Sequence, residues 1–109
     1  MGRVFTPDHF QPETPAKIMA DIVAIIRAHG LTPVGQPGLY LFDDRAFTGF
    51  VMLQESHISL HTWYERGYVD LDVYVCNVTR DNSRAAEHIF EQVAALFKAT
   101  TVEKQIIRR

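Results

Sequence analysis

The sequence predicts an α+β fold, a two-layer sandwich in which two helices pack on one face of an antiparallel sheet. Two observations carry this prediction. A helical pattern stands near each end of the 109-residue chain, and between the two patterns several strand patterns follow one another without a helix. Strands that are joined by short turns pair antiparallel, and the apolar face of each helix needs a sheet to cover.

The first helix is predicted from Pro15 to about residue 29. Thr14 is a suitable N-cap, and Pro15 suits the first helical position because the N–H that it lacks would have no partner there. Gly30 is expected to end the helix. Apolar side chains recur at helical spacing along this segment, at positions 18, 19, 22, 25 and 26.

Strands and turns fill the middle of the chain, where aromatic and β-branched residues are frequent. The predicted strands cover residues 3–5, 39–42, 47–54, 57–64, 68–76 and 101–107. Asp43–Arg45 and Glu65–Gly67 are predicted as turns. A second helix is expected to start near the potential cap residues Asp81, Asn82 and Ser83.

Composition limits the kinds of protein that the chain could be. Its length fits one domain covering residues 1–109, and so small a domain gains from a partner, so we expect a homo-oligomer. A net charge of -2 gives no basic surface for nucleic acid, and no apolar run reaches the roughly 18 residues of a membrane span. With one cysteine, Cys76, and no signal-peptide pattern, a cytoplasmic enzyme or binding module is expected.

The informative segment is Gln54–Trp63, which places two histidines, two serines and a carboxylate in a predicted strand. A metal site on His57 and His61 is not expected, because four residues of strand span roughly 13 Å, too far for one ion bound at about 2.1 Å. A plain polar face is the second interpretation, because alternation places both histidines on one side of the strand and Ile58 on the other.

The third interpretation is self-cleavage at a serine. A serine hydroxyl can attack the carbonyl of the preceding peptide bond to form an ester. A base then removes the serine α-proton, β-elimination breaks the chain, and hydrolysis leaves a pyruvoyl group. Histidine is a natural base for this step. The residues alone do not decide between a polar face and this chemistry.

A resemblance favours self-cleavage. The run Glu55-Ser56-His57-Ile58-Ser59-Leu60-His61-Thr62-Trp63, followed by Glu65, Gly67, Tyr68, Asp72 and Cys76, resembles the short prokaryotic S-adenosylmethionine decarboxylases. Members of that family fold as two-layer sandwiches and pair into homodimers with active sites near the interface. The resemblance therefore implies cleavage between Glu55 and Ser56, giving chains 1–55 and 56–109, with pyruvate as the covalently bound cofactor.

The resemblance also implies a role for six positions. His61 matches the histidine that assists β-elimination, and Thr48 matches a hydroxyl that stabilises the processing intermediate. Cys76 matches the thiol that returns a proton to the decarboxylated carbon. Phe42 matches an aromatic that stacks on the substrate's adenine, and Glu65 matches a carboxylate that binds its ribose. Ser56 becomes the pyruvoyl group, whose carbonyl forms a Schiff base with the substrate amine.

Several departures from the family pattern leave the substrate open. Tyr64 replaces a proline, Asp70 replaces a small residue, commonly alanine, and Asn77 replaces a glycine. The N-terminal strand is also shortened. Asp70 shares strand parity with Asp72 and Cys76, so it could bind the cationic end of ornithine or arginine instead.

Three functions follow from these observations. The first is S-adenosylmethionine decarboxylase of spermidine biosynthesis. The second is a pyruvoyl-dependent ornithine or arginine decarboxylase of the same family. The third is an unprocessed homologue that acts as a binding or regulatory subunit. In each enzyme hypothesis the partner is a small-molecule substrate, and we expect no nucleic acid, membrane or metal.

Overall fold

The fold is seen in a computed structural model, which describes residues 1–54, 56–75 and 83–105. The elements are β1 (Gly2–Phe5), α1 (Pro15–Ala28), β2 (Gly38–Leu41), β3 (Phe47–Leu53), β4 (Ser56–Trp63), a short 3-10 helix (Tyr64–Arg66), β5 (Tyr68–Tyr74), α2 (Ser83–Leu96) and β6 (Thr101–Lys104). Neither α1 nor α2 is long and apolar enough to cross a membrane.

The six strands form one sheet in the order β2-β3-β4-β5-β1-β6, and every neighbouring pair is antiparallel. The predicted α+β sandwich is thereby confirmed. Strand β1, which comes first in the chain, lies between β5 and β6. The N-terminal strand is thus in the interior of the sheet, although β2, β3, β4 and β5 pair in simple sequence order.

One core lies between the sheet and the two helices. Both helices contribute apolar side chains to it, such as Ile22 from α1 and Val93 from α2, and both of these are fully buried. On the sheet, alternate residues of β3 and β4 face this core, among them Val51, Ile58 and Leu60. The opposite parity therefore belongs to the other side of the sheet, here called the outer face, which neither helix covers.

Helix α1 begins as the sequence predicts. The hydroxyl of Thr14 accepts a hydrogen bond from the backbone N–H of Lys17 at 3.3 Å, so Thr14 is the N-cap and Pro15 occupies the first turn. The helix ends at Ala28, and Gly30 follows with a φ of 78°, a left-handed conformation that favours glycine.

Most differences between the predicted and observed elements concern their ends. Strand β2 begins and ends one residue earlier than expected, so Phe42 lies just beyond it. The predicted turn at Glu65–Gly67 is a single 3-10 turn, closed by Gly67 with a φ of 80°. The predicted cap residues Asp81 and Asn82 lie outside the described residues, as does the expected end of the last strand at 106–107.

Candidate functional site

Ser56 is the first residue of β4 and lies at the tip of the β3–β4 hairpin. Its register partner is Leu53, the last residue of β3. Ser56 is half-buried and engaged in an interaction of its own. The expected cleavage position is therefore at the hairpin end of β4, although Glu55 itself lies outside the described residues.

His61 and Thr48 are held together further along the same hairpin. The two residues are register partners on β4 and β3, and both belong to the outer face. Thr48 Oγ1 and His61 Nδ1 are 2.9 Å apart, a hydrogen bond whose direction depends on the imidazole tautomer. The structure thus brings together two of the residues that the sequence predicts for self-processing.

This pair belongs to a row of outer-face residues that crosses all six strands. From β6 to β2 the register partners are Glu103, Arg3, Asp70, His61, Thr48 and Tyr40. Asp70, predicted to bind substrate, is therefore the cross-strand neighbour of His61. Its carboxylate accepts hydrogen bonds from Arg3 Nε at 2.9 Å and Nη2 at 3.4 Å.

The charge of Asp70 acts on Arg3 in turn. Its hydrogen bond raises the pKa of the Arg3 guanidinium above its ordinary value, and its negative charge adds to that effect. The guanidinium also lies over the Tyr68 ring, 3.9 Å from its centroid. Arg3 was not among the predicted site residues, because no local pattern in the sequence pairs β1 with β5.

A second polar pair lies nearer to Ser56 on the outer face. His57 Nε2 and the Asp72 carboxylate are 3.3 Å apart, and the His57 ring packs against Tyr74 with centroids 5.6 Å apart. Both residues belong to the sequence motif that carries the family resemblance, but the resemblance implies a role for neither. Strand alternation combined with the β4–β5 register is the signal that would have paired them.

A shallow outer-face pocket of about 700 Å³ lies against these groups. Its lining includes His61, Ser59, Arg3 and the carboxylates of Asp70 and Asp72, together with the β6 segment at Glu103–Gln105. Both signs of charge therefore line the pocket, as a zwitterionic ligand would require.

The two residues expected to contact adenosine lie away from Ser56. Phe42 follows β2, is 63% exposed, and forms an edge-to-face pair with Tyr40 at a centroid distance of 5.2 Å. Glu65 is exposed in the 3-10 turn beyond the end of β4. Cys76 lies outside the described residues, one position after the buried Val75.

The predicted site residues therefore form two groups. Ser56 is at one end of the β3–β4 hairpin, whereas Phe42, Thr48, His61 and Glu65 lie toward the other end. His61 is five positions along β4 from Ser56, a distance of ~16 Å, and alternation gives the two positions opposite parity. One chain does not bring His61 to Ser56.

Comparison with known proteins identifies the family of this chain. The family model described as S-adenosylmethionine decarboxylase matches residues 10–109, so the chain belongs to that family. A relative from Thermococcus onnurineus (strain NA1), named S-adenosylmethionine decarboxylase proenzyme, is 41% identical over 58 residues. A relative of the same name from Pyrococcus horikoshii is 43% identical over 58 residues. One from Sulfurihydrogenibium sp. (strain YO3AOP1) is 37% identical over 68 residues.

The matched segments are partial. The match to the Thermococcus and Pyrococcus relatives covers 53% of this chain, and it covers 41% and 42% of those two proteins. The match to the Sulfurihydrogenibium relative covers 62% of this chain and 48% of that protein. The chain thus spans less than half the length of these curated relatives. A crystal structure of the adenosylmethionine decarboxylase from Aquifex aeolicus VF5 superimposes with a TM-score of 0.75 at 24% identity, covering 95% of this chain and 82% of that one. At that identity, the likeness supports the fold.

Proposed function

We propose that this chain is a self-processing, pyruvoyl-dependent S-adenosylmethionine decarboxylase, which supplies aminopropyl groups for spermidine. The observation that carries the proposal is the β3–β4 hairpin, which holds Ser56 at its tip and the Thr48–His61 hydrogen bond on its outer face. Family membership supports the same activity. The cytoplasmic location expected from the sequence stays a prediction.

The position of Ser56 suits a serine that becomes a pyruvoyl group. Six register pairs join β3 and β4, from Thr48 with His61 to Leu53 with Ser56. A break between residues 55 and 56 falls outside all of them, so the sheet keeps its pairing while position 56 becomes a chain end. When formed there, the pyruvoyl group would supply a carbonyl that holds the substrate amine and withdraws electrons from the bond to the carboxylate.

The hydrogen bond between Thr48 and His61 suits a base that acts through Nε2. If Nδ1 carries the proton and donates it to Thr48 Oγ1, Nε2 keeps its lone pair and can accept the Ser56 α-proton. The Thr48 hydroxyl hydrogen is then free to be donated to the oxyanion that forms when Ser56 attacks the preceding carbonyl. The one hydrogen bond is thus compatible with both proposed roles, His61 as the base and Thr48 as the donor to the oxyanion.

The separation of Ser56 from His61 points to two copies of the chain acting together. We place the outer face of one protomer against that of a second in a homodimer, so that His61 and Thr48 of one copy serve Ser56 of the other. The two-fold axis would cross β4 near Ser59, midway between the two functional positions. The outer face also exposes apolar side chains that such a partner would cover, including Tyr40, Phe50 and Met52.

The remaining roles follow the family pattern and the division of the site residues between the two ends of the β3–β4 hairpin. We propose that Phe42 stacks on the adenine, Glu65 binds the ribose, and Cys76 returns a proton to the substrate carbon. In the proposed homodimer, Phe42 and Glu65 come from the copy that supplies His61, because all three lie toward the same end of the hairpin. A direct contact between Asp70 and the substrate stays a prediction, since Arg3 already engages both of its oxygens.

Intact mass spectrometry followed by an activity assay tests the proposal. The 12.5 kDa chain should convert into two fragments that meet at residues 55 and 56, and Ser56→Ala should stay intact. The processed protein should then release carbon dioxide from S-adenosylmethionine. Persistence of the intact chain would favour the regulatory homologue, and release from ornithine or arginine alone would favour the second enzyme.

Mixing two inactive variants tests the homodimer. Ser56→Ala and His61→Ala should each stay uncleaved alone, because one lacks the nucleophile and the other lacks the base. After co-expression, mixed dimers should cleave the His61→Ala chain, which keeps Ser56 and receives His61 from its partner. Failure of cleavage in mixed dimers, with wild-type chains cleaving normally, would contradict the shared site.

A further inference from the structure

Arg3 and Asp70 continue the row of outer-face residues that contains His61. We propose that this ion pair is a positioning device, which sets the pH range over which His61 is an unprotonated base. The inference rests on the proposed function, because it assigns the pair a purpose through His61. It also gives Asp70 a role that does not require contact with substrate.

Register makes Asp70 the cross-strand neighbour of His61. The two residues are direct partners on β4 and β5, so their Cβ atoms are expected ~5 Å apart. Thr48 holds His61 from the other side at 2.9 Å. In the outer-face row, His61 thus stands between an uncharged residue and an acidic one.

Arg3 offsets the effect that this carboxylate would have alone. An unpaired carboxylate at this distance stabilises the imidazolium and so keeps the base protonated to higher pH. Arg3 lies on the far side of Asp70, binds it through Nε and Nη2, and packs its guanidinium on Tyr68. The Asp70 carboxylate and the Arg3 guanidinium together therefore add no net charge beside His61.

The register brings an opposing charge to Asp70 from the other side. His61 is the partner of Asp70 on β4, and Arg3 is its partner on β1. As a stabilising contact the pair is weak, because its side chains are 44% and 38% exposed. The ion pair therefore contributes little to stability, and its proposed role is to set the charge beside His61.

Other ionisable residues lie on the same face of the sheet as His61, and each stays constant in the test below. Strand β4 contributes His57, and β5 contributes Asp72 beside Asp70. The adjoining pocket is also lined by Met1, which precedes β1 and carries the chain's amino group, and by Glu103 of β6. Lys104 lines it as well, but its ammonium lies 5.6 Å from the Phe90 ring of α2, on the helix side of the sheet. Strand β3 contributes no charge, because its partner to His61 is Thr48.

Direct titration of His61 is the first arm of the test. In the uncleavable Ser56→Ala background, the His61 imidazole is followed by NMR against pH and assigned with His61→Gln. Removing Arg3 with Arg3→Met should raise the titration midpoint by about half a pH unit, and Asp70→Asn should lower it by a similar amount. The double variant, which removes both charges, should return the midpoint to that of the Ser56→Ala parent.

The rate of self-cleavage against pH is the second arm. With Ser56 present, the same three variants should move the pH of half-maximal cleavage in the same directions. Lys17→Met is the matched control, because it removes one cation from an ion pair with Asp21 on α1, away from the outer face. Arg3→Lys should preserve the wild-type profile.

The outcomes separate the two claims. Midpoints unmoved by Arg3→Met and Asp70→Asn, or moved in one direction by both, would overturn the inference while self-cleavage still supports the proposed function. Absence of cleavage at every pH in the wild-type chain would overturn the proposed function, and the NMR arm would still report on the ion pair. Circular dichroism on each variant identifies any that fail to fold; if Arg3→Met is one of them, the shift expected for Asp70→Asn carries the comparison, with Arg3→Lys as the unshifted reference.

Discussion

The hydroxyl of Thr48 has two partners in the proposed chemistry, the imidazole of His61 and the oxyanion formed at the cleavage position. At the scale of single residues, these are the atoms on which the processing step depends. The family resemblance identified both positions from the sequence. Their 2.9 Å hydrogen bond requires the register of β3 against β4, which pairs Thr48 with His61 and which the residues alone do not specify.

Replacing Thr48 by valine keeps the shape of the side chain and removes its hydrogen bonds. Self-cleavage should slow by about 10²- to 10³-fold, the typical effect of losing one oxyanion donor. Time courses of the intact mass measure the rate. Thr48→Ser, which keeps the hydroxyl, should cleave at a rate much closer to that of the wild type. Equal rates for Thr48→Val and the wild type would remove Thr48 from the mechanism.

Tyr64, where the family resemblance implies proline, has a hydroxyl that affects stability. Its ring packs near Phe10 and Phe97, with centroids 6.0 and 6.4 Å away, and burial raises the pKa of its phenol well above the ordinary value. Among the described residues, no group hydrogen-bonds to its buried hydroxyl. The sequence revealed the substitution for proline, but an unpaired hydroxyl depends on packing that a local pattern does not encode.

Removing this hydroxyl should therefore stabilise the protein. Tyr64→Phe keeps the ring contacts and is expected to raise the free energy of unfolding by roughly 1 kcal/mol, since a buried unpaired polar group costs about that much. Thermal unfolding should show a Tm about 4–8 °C higher for a domain of this size. Tyr68→Phe, a change on the outer face, is the matched control and should alter the Tm much less. A lower Tm for Tyr64→Phe would contradict this account.

At the scale of elements, the sequence predicted both α-helices and all six strands that the structure describes. Apolar periodicity is clearest where an element buries one face, as α1 and β3 do, whereas β6 is exposed throughout and β2 nearly so. Element ends were less predictable, since they depend on local hydrogen bonds. The turn between β2 and β3 is an example. Asp43 accepts hydrogen bonds from the backbone N–H groups of Arg45 and Ala46, at 2.7 and 2.6 Å, and so fixes the turn beside Phe42.

These hydrogen bonds give the turn a pH dependence. The Ala46 N–H, and then the Arg45 N–H, lower the pKa of the Asp43 carboxyl below its ordinary value. A lowered folded-state pKa means that the contribution to stability is complete above the unfolded value of about 3.9 and is lost as the pH falls through the folded value. Asp43→Ala should therefore unfold at a lower Tm than the wild type at pH 7.

The difference between these two proteins should shrink as the pH falls below about 3.9, the unfolded value, and on through the lowered pKa of the folded Asp43 carboxyl. Asp44→Ala is the matched control, because it removes a neighbouring carboxylate from the same turn. Melting curves at several pH values measure the difference. A gap in Tm between Asp43→Ala and the wild type that stays constant down to pH 2 would show that the carboxylate charge is not what fixes the turn.

At the scale of the whole molecule, the order of the strands was the feature least accessible from sequence. Pairing of β2 with β3, β3 with β4, and β4 with β5 follows from short connections. Strand β1, by contrast, lies between β5 and β6, and its pairing with β6 joins residues about a hundred positions apart in the chain. A strand of four residues is too short for its apolar pattern to specify such a partner. The same insertion brought Arg3 to Asp70, which is why that ion pair was not predicted.

Strand order also determines what self-cleavage does to the molecule. The expected fragment 1–55 contains β1, α1, β2 and β3, and the fragment 56–109 contains β4, β5, α2 and β6. Three of the five strand pairings, β3–β4, β1–β5 and β1–β6, join one fragment to the other. Fragment 1–55 thus enters the sheet of fragment 56–109 at two separate places, and Val4 of β1 is fully buried there.

The processed protein should therefore remain one body without a covalent link. On native size exclusion at micromolar concentration, both fragment masses should elute together, and they should separate only in denaturant. Val4→Pro should weaken this association, because proline removes a ladder hydrogen bond and a buried side chain from an interior strand, so separation should need less urea. Val102→Pro is the comparison on the edge strand β6 and should weaken it less. Fragments that part on native chromatography without denaturant would show that β1 does not hold them together.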